Sequence, residues 1–184
     1  MQASQPIAFI GGGNMARSLV GGLVSRGVPP RLLHVAEPDA ATRGALVADF
    51  GVNTYPDAAE AVRHAGTWLF AVKPQVMRPV CEGLAAAAQA ARPLVVSIAA
   101  GITSAQLDRW LGGGLAVVRA MPNTPALLGA GVTGLYASAA VDAAGRELAQ
   151  SLLSAAGETV WIGDEALMDA VTAVSGSGPA YVFL

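Results

Sequence analysis

The sequence predicts a doubly wound α/β fold built on a mostly parallel sheet. Two observations carry that prediction. Short apolar runs of strand length alternate with longer stretches of helical periodicity through most of the 184 residues. The first apolar run ends in three consecutive glycines, Gly11-Gly12-Gly13, directly before a helical stretch.

Taken in order, Pro6 to Ile10 reads as a buried strand entering a tight turn. Asn14 to Ser25 follows as a helix with Met15, Leu19, Gly22 and Leu23 on one face. The unit then repeats, with a strand from Leu32 to Ala36 and a helix from Ala40 to Phe50 closed by Gly51. Val52 to Tyr55 and Thr67 to Val72 read as strands, separated by a helix from Asp57 to His64. Gln75 to Ala91 is helical, Leu94 to Ala99 a strand, and Thr103 to Leu111 a helix that Thr103 or Ser104 can cap. Leu115 to Ala120, Val132 to Ala137 and Thr159 to Ile162 are further strands, with a helix from Asp142 to Ala156, giving about eight strands in all. After Gly163 the character changes. Glu165 to Val174 reads as a helix, a Ser-Gly-Ser-Gly-Pro turn follows, and Ala180 to Leu184 starts another apolar helix. An ending on an apolar run without a polar cap reads as a chain cut short. The expected division is one domain over 1–163 and the start of another over 164–184.

Composition narrows the function. Apolar residues make up 53% and charged residues 13%, against a usual charged share of roughly 25%. A surface so poor in charge suggests that a partner subunit covers part of it. The net charge is −2 and the eleven Lys and Arg are scattered, which argues against nucleic acid as a partner. The single cysteine, Cys81, excludes an internal disulfide and a cysteine-rich metal site, and it reads as a small residue packed on a helix. His34 and His64 lack partners at ligand spacing, so surface or strand-end positions and no metal are expected. No signal-peptide pattern and no apolar run near the ~20 residues of a membrane span occur, so a soluble cytoplasmic protein is expected.

The chemistry begins at Gly11-x-Gly13-x-x-Ala16, which leaves a strand and opens a helix. Gly11 permits the tight turn, Gly13 lets a pyrophosphate approach the backbone, and Ala16 is small enough for the helix to pack on the sheet. Free N–H groups and the positive helix end then hold phosphates. This is a Rossmann-type arrangement for NAD(H) or NADP(H). Glu37 ends the second strand, where an acidic residue bonds the adenosine ribose hydroxyls of NAD and repels a 2′-phosphate. Arg43 and Arg17 are the cations available to offset it. Ala71-Val72-Lys73-Pro74 lies at a strand's carboxyl end beside the cofactor, where Lys73 meets a phosphate or a substrate carboxylate, or is simply solvated. Ser97-Ile98-Ala99-Ala100-Gly101 offers small residues for the nicotinamide ring to lie against. Arg119 to Pro125 reads as a loop stiffened by two prolines. Ser175-Gly176-Ser177-Gly178-Pro179 brings two hydroxyls and free N–H groups ahead of a helix, a cradle for a small carboxylate.

Together these stretches resemble pyrroline-5-carboxylate reductase. The segments that carry the resemblance are Phe9 to Ala16, Ala71-Val72-Lys73-Pro74, Val96 to Gly101, Met121-Pro122-Asn123-Thr124-Pro125-Ala126 and Ala173 to Tyr181, in family order. The resemblance implies NAD(P)H-dependent reduction of the C=N bond of 1-pyrroline-5-carboxylate to L-proline, the last step of proline synthesis. It implies cofactor contacts from Ile10, Gly11, Gly12, Gly13, Asn14, Met15, Glu37, Ala71, Val72, Lys73, Pro74, Ile98, Ala99 and Ala100. Lys73, Ser175 and Ser177 are the catalytic candidates. The family usually prefers NADPH and often has a small polar residue where Glu37 stands and an amide near Ala58, so NADP and NAD both stay open. It also implies a following all-helical domain that dimerises and binds substrate, of which only the start is expected here. Dinucleotide binding with little or no turnover, and a homo-oligomer for the complete protein, are therefore the expectations. Another imine or 2-hydroxyacid reductase, or a module that only binds nucleotide, are the alternatives.

Overall fold

The computed structural model of the chain describes residues 5–177. Its eight strands form one sheet: β1 (Ile7–Ile10), β2 (Leu33–Ala36), β3 (Asn53–Tyr55), β4 (Thr67–Phe70), β5 (Leu94–Ser97), β6 (Ala116–Met121), β7 (Gly131–Ala137) and β8 (Gly157–Trp161). The order across the sheet is β3-β2-β1-β4-β5-β6-β7-β8. Every pairing is parallel except β6 with β7, so the mostly parallel sheet read from the sequence is what forms.

Among the described residues six α-helices lie between strands, α1 (Asn14–Ser25), α2 (Ala40–Phe50), α3 (Ala58–Val62), α4 (Pro74–Ala91), α5 (Ser104–Trp110) and α6 (Ala143–Leu153), and α7 (Leu167–Val171) follows β8. Strand residues alternate between two cores. Ile7 and Phe9 of β1 point to a layer with Leu19 and Leu23 of α1, Leu46 of α2 and Leu152 of α6. Ala8 and Ile10 point to the other, with Ala61 of α3, Met77, Cys81 and Leu84 of α4 and Leu107 of α5. Each such fully buried side chain is worth about 1.5–3 kcal/mol of transfer free energy, so the helices are held mainly by these faces. Local signals set their ends. Asp39 accepts from Thr42 N at 2.7 Å to start α2, and Gly51 closes it at φ +68°. Thr103 and Gln106 form a reciprocal capping box on α5.

The structure corrects the sequence reading in four places. Arg119 to Met121 are strand, not loop; only Pro122 and Asn123 separate β6 from a 3-10 turn over Thr124–Leu128. The helix expected to reach Ala156 tightens to a 3-10 turn at Ser154–Ala156, because β8 begins at Gly157. Thr172–Ser177 is a π-helical continuation of α7, so Ser175, Gly176 and Ser177 are helical where a turn is expected. The Thr172 hydroxyl there donates to Met168 O at 2.8 Å, and Gly176 approaches Met121 so closely that a Cβ would lie 2.6 Å from its Cε. A glycine in that slot lets the widened helix lie on β6. Gly178, Pro179 and the apolar run Ala180 to Leu184 lie outside the described residues. Finally, His34 is neither at the surface nor at a strand end. It is the second residue of β2, buried, and one of three rings that pack on one another with Tyr55 and His64.

Candidate dinucleotide site

The strand order reverses at β1, which has β2 on one side and β4 on the other. A crevice opens at such a switch point, outside the carboxyl ends of the strands. Main-chain bonds define its floor: Gly11 N donates to Ala36 O at 2.9 Å, and Ala71 N donates to Ile10 O at 2.8 Å. Gly11 adopts φ +104°, and a Cβ there would lie 2.8 Å from Ala71 O, so no other residue fits. Gly12 is nearly as confined, since its Cβ would meet Glu37 and Leu46 at 3.0 Å. Gly13 is the opposite case. Nothing lies within 4 Å of where its Cβ would be, and it opens α1 without a side-chain cap among the described residues. The first-turn N–H groups of a 12-residue helix therefore face open space at the crevice.

The residues singled out in sequence converge on this end of the sheet. Ile10 ends β1 and is buried, and Asn14 and Met15 begin α1. Ala71, Val72 and Lys73 form the turn from β4 into α4, with exposed Lys73 at the N-cap and Pro74 as the first helical residue. Ile98, Ala99 and Ala100 follow β5, where Ile98 N donates to Phe70 O at 3.1 Å and Ala99 N to the Ser97 hydroxyl at 3.3 Å. Glu37 follows β2 and is anchored to the glycine loop: Gly12 N donates to its Oε2 at 2.9 Å and Asp39 N to its Oε1 at 3.0 Å. A cavity of about 270 Å³ lies here, bordered by Ile10, Gly11, Glu37, Asp57 and Val72. A larger groove of about 600 Å³ runs along the outside of α1 between Phe50, Leu128 and Ala155. Of the expected cofactor contacts only Asn14 borders it, so the smaller cavity is the one that belongs to the crevice.

Ser175 sits apart from the glycine loop, on the π-helical segment. Its hydroxyl oxygen accepts from Asn123 Nδ2 at 3.1 Å, while Asn123 Oδ1 accepts from Val132 N at 3.0 Å. Ser177 ends the same segment. Reading the sequence missed what anchors this region. Arg119, 5% exposed, donates to Glu165 Oε1 at 3.0 Å. Ser104 donates to the same carboxylate from its N–H at 2.6 Å and its hydroxyl at 2.8 Å. Burial opposes ionisation of Glu165, but the two Ser104 bonds and then Arg119 outweigh it and hold the carboxyl below its ordinary value. The available signal was a lone arginine inside the apolar strand Ala116–Met121, which needs a buried partner. Cys81 packs inside α4 as expected; burial and then Glu82 push its thiol up to about 12, so it is no nucleophile. No group of three metal-ligating side chains occurs among the described residues.

Comparison with known proteins narrows the chemistry. Residues 6–101 match the family model described as NADP oxidoreductase coenzyme F420-dependent. The pyrroline-5-carboxylate reductase of Pseudomonas aeruginosa is 53% identical over 178 residues, covering 97% of this chain and 65% of its own length. A solved pyrroline-5-carboxylate reductase from Coxiella burnetii is 39% identical with a TM-score of 0.94, covering 98% of this chain and 67% of that one. The chain belongs to the pyrroline-5-carboxylate reductase family. A Plasmodium falciparum pyrroline carboxylate reductase solved with NADP bound is 26% identical, with a TM-score of 0.86 over the whole of this chain and 66% of that one. This reductase-family chain thus spans about two thirds of the length of the relatives it matches. No helix among its described residues is long and apolar enough to cross a membrane.

Proposed function

We propose that the chain binds NAD(P)H at the crevice between β1 and β4 and serves the reduction of 1-pyrroline-5-carboxylate to L-proline. The observation that carries the reading is the glycine turn at the switch point, closed by main-chain contacts at Gly11 and open at Gly13, in a chain of this reductase family. The bound dinucleotide would supply the hydride for the imine carbon. The residues of this chain do the rest. Gly13 and the uncapped start of α1 receive the pyrophosphate. Val72, Lys73 and Pro74 border its path, and Ile98, Ala99 and Ala100 form the small-residue wall for the nicotinamide.

Lys73 and the start of α4, an 18-residue helix, supply positive potential for a carboxylate or phosphate. Ser175 accepts its hydrogen bond from Asn123, which leaves its own proton free to donate to the substrate carboxylate or imine nitrogen. Ser177 shares this role by position. Residues 1–163 form the dinucleotide domain in this proposal, and 164–184 begin the substrate-side region. A homo-oligomer fits the exposed apolar side chains Leu128 and Val174, 88% and 76% accessible. The reading is tested by titrating the chain with NADH and with NADPH, following nicotinamide fluorescence. Saturable binding that a Gly13→Asp variant loses supports it; no binding of either dinucleotide overturns it.

A further inference from the structure

Resting on that dinucleotide reading, we propose that Glu37 makes this chain select NADH over NADPH. The two cofactors differ only at the adenosine ribose, where one offers a hydroxyl donor and the other a phosphate of about −2 charge. The carboxylate of Glu37 is held at the rim of the 270 Å³ cavity from three sides. Its backbone N–H donates to Tyr55 O at 2.9 Å, and its two oxygens accept from Gly12 N and Asp39 N. Each oxygen keeps a lone pair for a ribose hydroxyl, so an incoming diol needs no rearrangement. Swinging the side chain away to admit a phosphate would strip an acceptor from the glycine loop itself. That loop is what holds the pyrophosphate, so selection at the ribose and grip on the phosphates are mechanically linked.

The surroundings add to the bias. Asp57 borders the same cavity and is fixed there as the N-cap of α3, accepting from Ala59 N at 2.7 Å. Asp39 caps α2 beside Glu37. The two nearby arginines are partly engaged. Arg43 Nη1 donates to the carbonyls of Glu37 and Pro38, each at 2.7 Å. Arg17 pairs with Asp49, and its guanidinium lies 5.1 Å from the Phe50 ring centre, toward the far end of α2. A 2′-phosphate would therefore enter among carboxylates, with Arg43 held against the main chain of Glu37 and Pro38 and only its remaining N–H groups available to offset their charge.

The experiment is a pair of fluorescence titrations, NADH and NADPH, on the wild-type chain and on Glu37→Gln, at low and at high salt. The wild type is expected to bind NADH at least about tenfold tighter, with the ratio narrowing as salt screens the carboxylates. Glu37→Gln keeps an oxygen for Gly12 N–H but loses the charge, so NADPH should gain and the ratio should fall toward one. Should the variant not fold, the wild-type ratio and its salt dependence decide the selectivity, and Glu37→Ser replaces it as the test of this residue. Equal or tighter binding of NADPH by the wild type overturns the selectivity and leaves the dinucleotide reading intact. A ratio unmoved by Glu37→Gln overturns the assignment to this residue, and binding of neither cofactor overturns both readings.

Discussion

The interior of the sheet at β1–β4 and its edge at β6 to β8 hold their polar groups in opposite ways. At the β1–β4 crevice the groups that matter are main chain: glycine N–H groups, an uncapped helix start and the bonds of Gly11 and Ala71 to neighbouring strands. At β6 to β8 they are side chains tied by long-range polar contacts, with Glu165 gathering Ser104 and Arg119, and Asn123 gathering Ser175 and Val132. The first arrangement depends on side chains being absent, which would suit a group shared by every dinucleotide. The second depends on particular partners, which suits the end where a specific small substrate would be recognised.

That contrast breaks most sharply at Gly11 and Gly13. Gly11→Ala must accommodate a Cβ 2.8 Å from Ala71 O at φ +104°, so a loss of about 2–4 kcal/mol of stability is expected. Gly13→Ala meets no protein atom within 4 Å and has an ordinary extended backbone, φ −67°, so its melting temperature should hardly move. Its dinucleotide affinity should still fall, by about tenfold or more, because the new methyl occupies the phosphate approach. Thermal unfolding and titration of the two variants check this. Equal stability losses would show that the loop is a packed turn and not a binding surface.

At the β6 to β8 edge the expected effects come from charge. Glu165→Ala leaves Arg119 buried without its carboxylate, at a cost of about 2–4 kcal/mol. The pH dependence follows from the depressed carboxyl. Because its folded pKa lies below the ordinary 4.5, the stabilisation is fully present above that value and is lost as pH falls through the folded value. Denaturant unfolding from pH 7 to pH 3 should show the wild type losing this increment while the variant does not. A smaller effect, about 0.5–1.5 kcal/mol, is expected for Asn123→Ala, which gives the exposed Val132 N–H over to water and releases the Ser175 hydroxyl. If Ser175 acts on substrate, the same variant should raise the substrate KM in a reductase assay and leave dinucleotide affinity unchanged.

The same contrast explains what could be read in advance. α1 and α2 carry the same bounds in sequence and structure, because Gly13, Asp39 and Gly51 mark their ends locally. The crevice was legible for a related reason: a glycine that tolerates no Cβ leaves a permanent mark in the sequence. The Arg119–Glu165 pair spans 46 positions and the Ser104–Glu165 bond 61, and no local pattern records such a contact. The Ser175 segment failed differently. Its Ser and Gly composition is that of a turn, yet it is π-helical and packs Gly176 against Met121, a contact that no local pattern records.

His34 lies between these two cases and offers the finest test. On β2 its side chain faces the helix-α3 layer, where its Nδ1 lies 2.9 Å from the Tyr55 hydroxyl and its ring stacks on His64 at 5.1 Å. Tyr55 in turn accepts the backbone bond of Glu37 through its carbonyl, so the stack lies beside the strand end from which the proposed ribose-side carboxylate projects. Burial first, and His64 second, hold the His34 pKa below the ordinary 6.5. The unfolded chain therefore takes up a proton near pH 6.5 that the folded chain refuses, and stability falls as pH drops below that value until the folded pKa is reached. His34→Phe keeps a stacked ring without a titrating group. Between pH 7.5 and pH 5.5 (a range on the order of the histidine titration) its stability should decline less than that of the wild type. Parallel declines would mean that the His34 ring takes up its proton in the folded chain as readily as in the unfolded one.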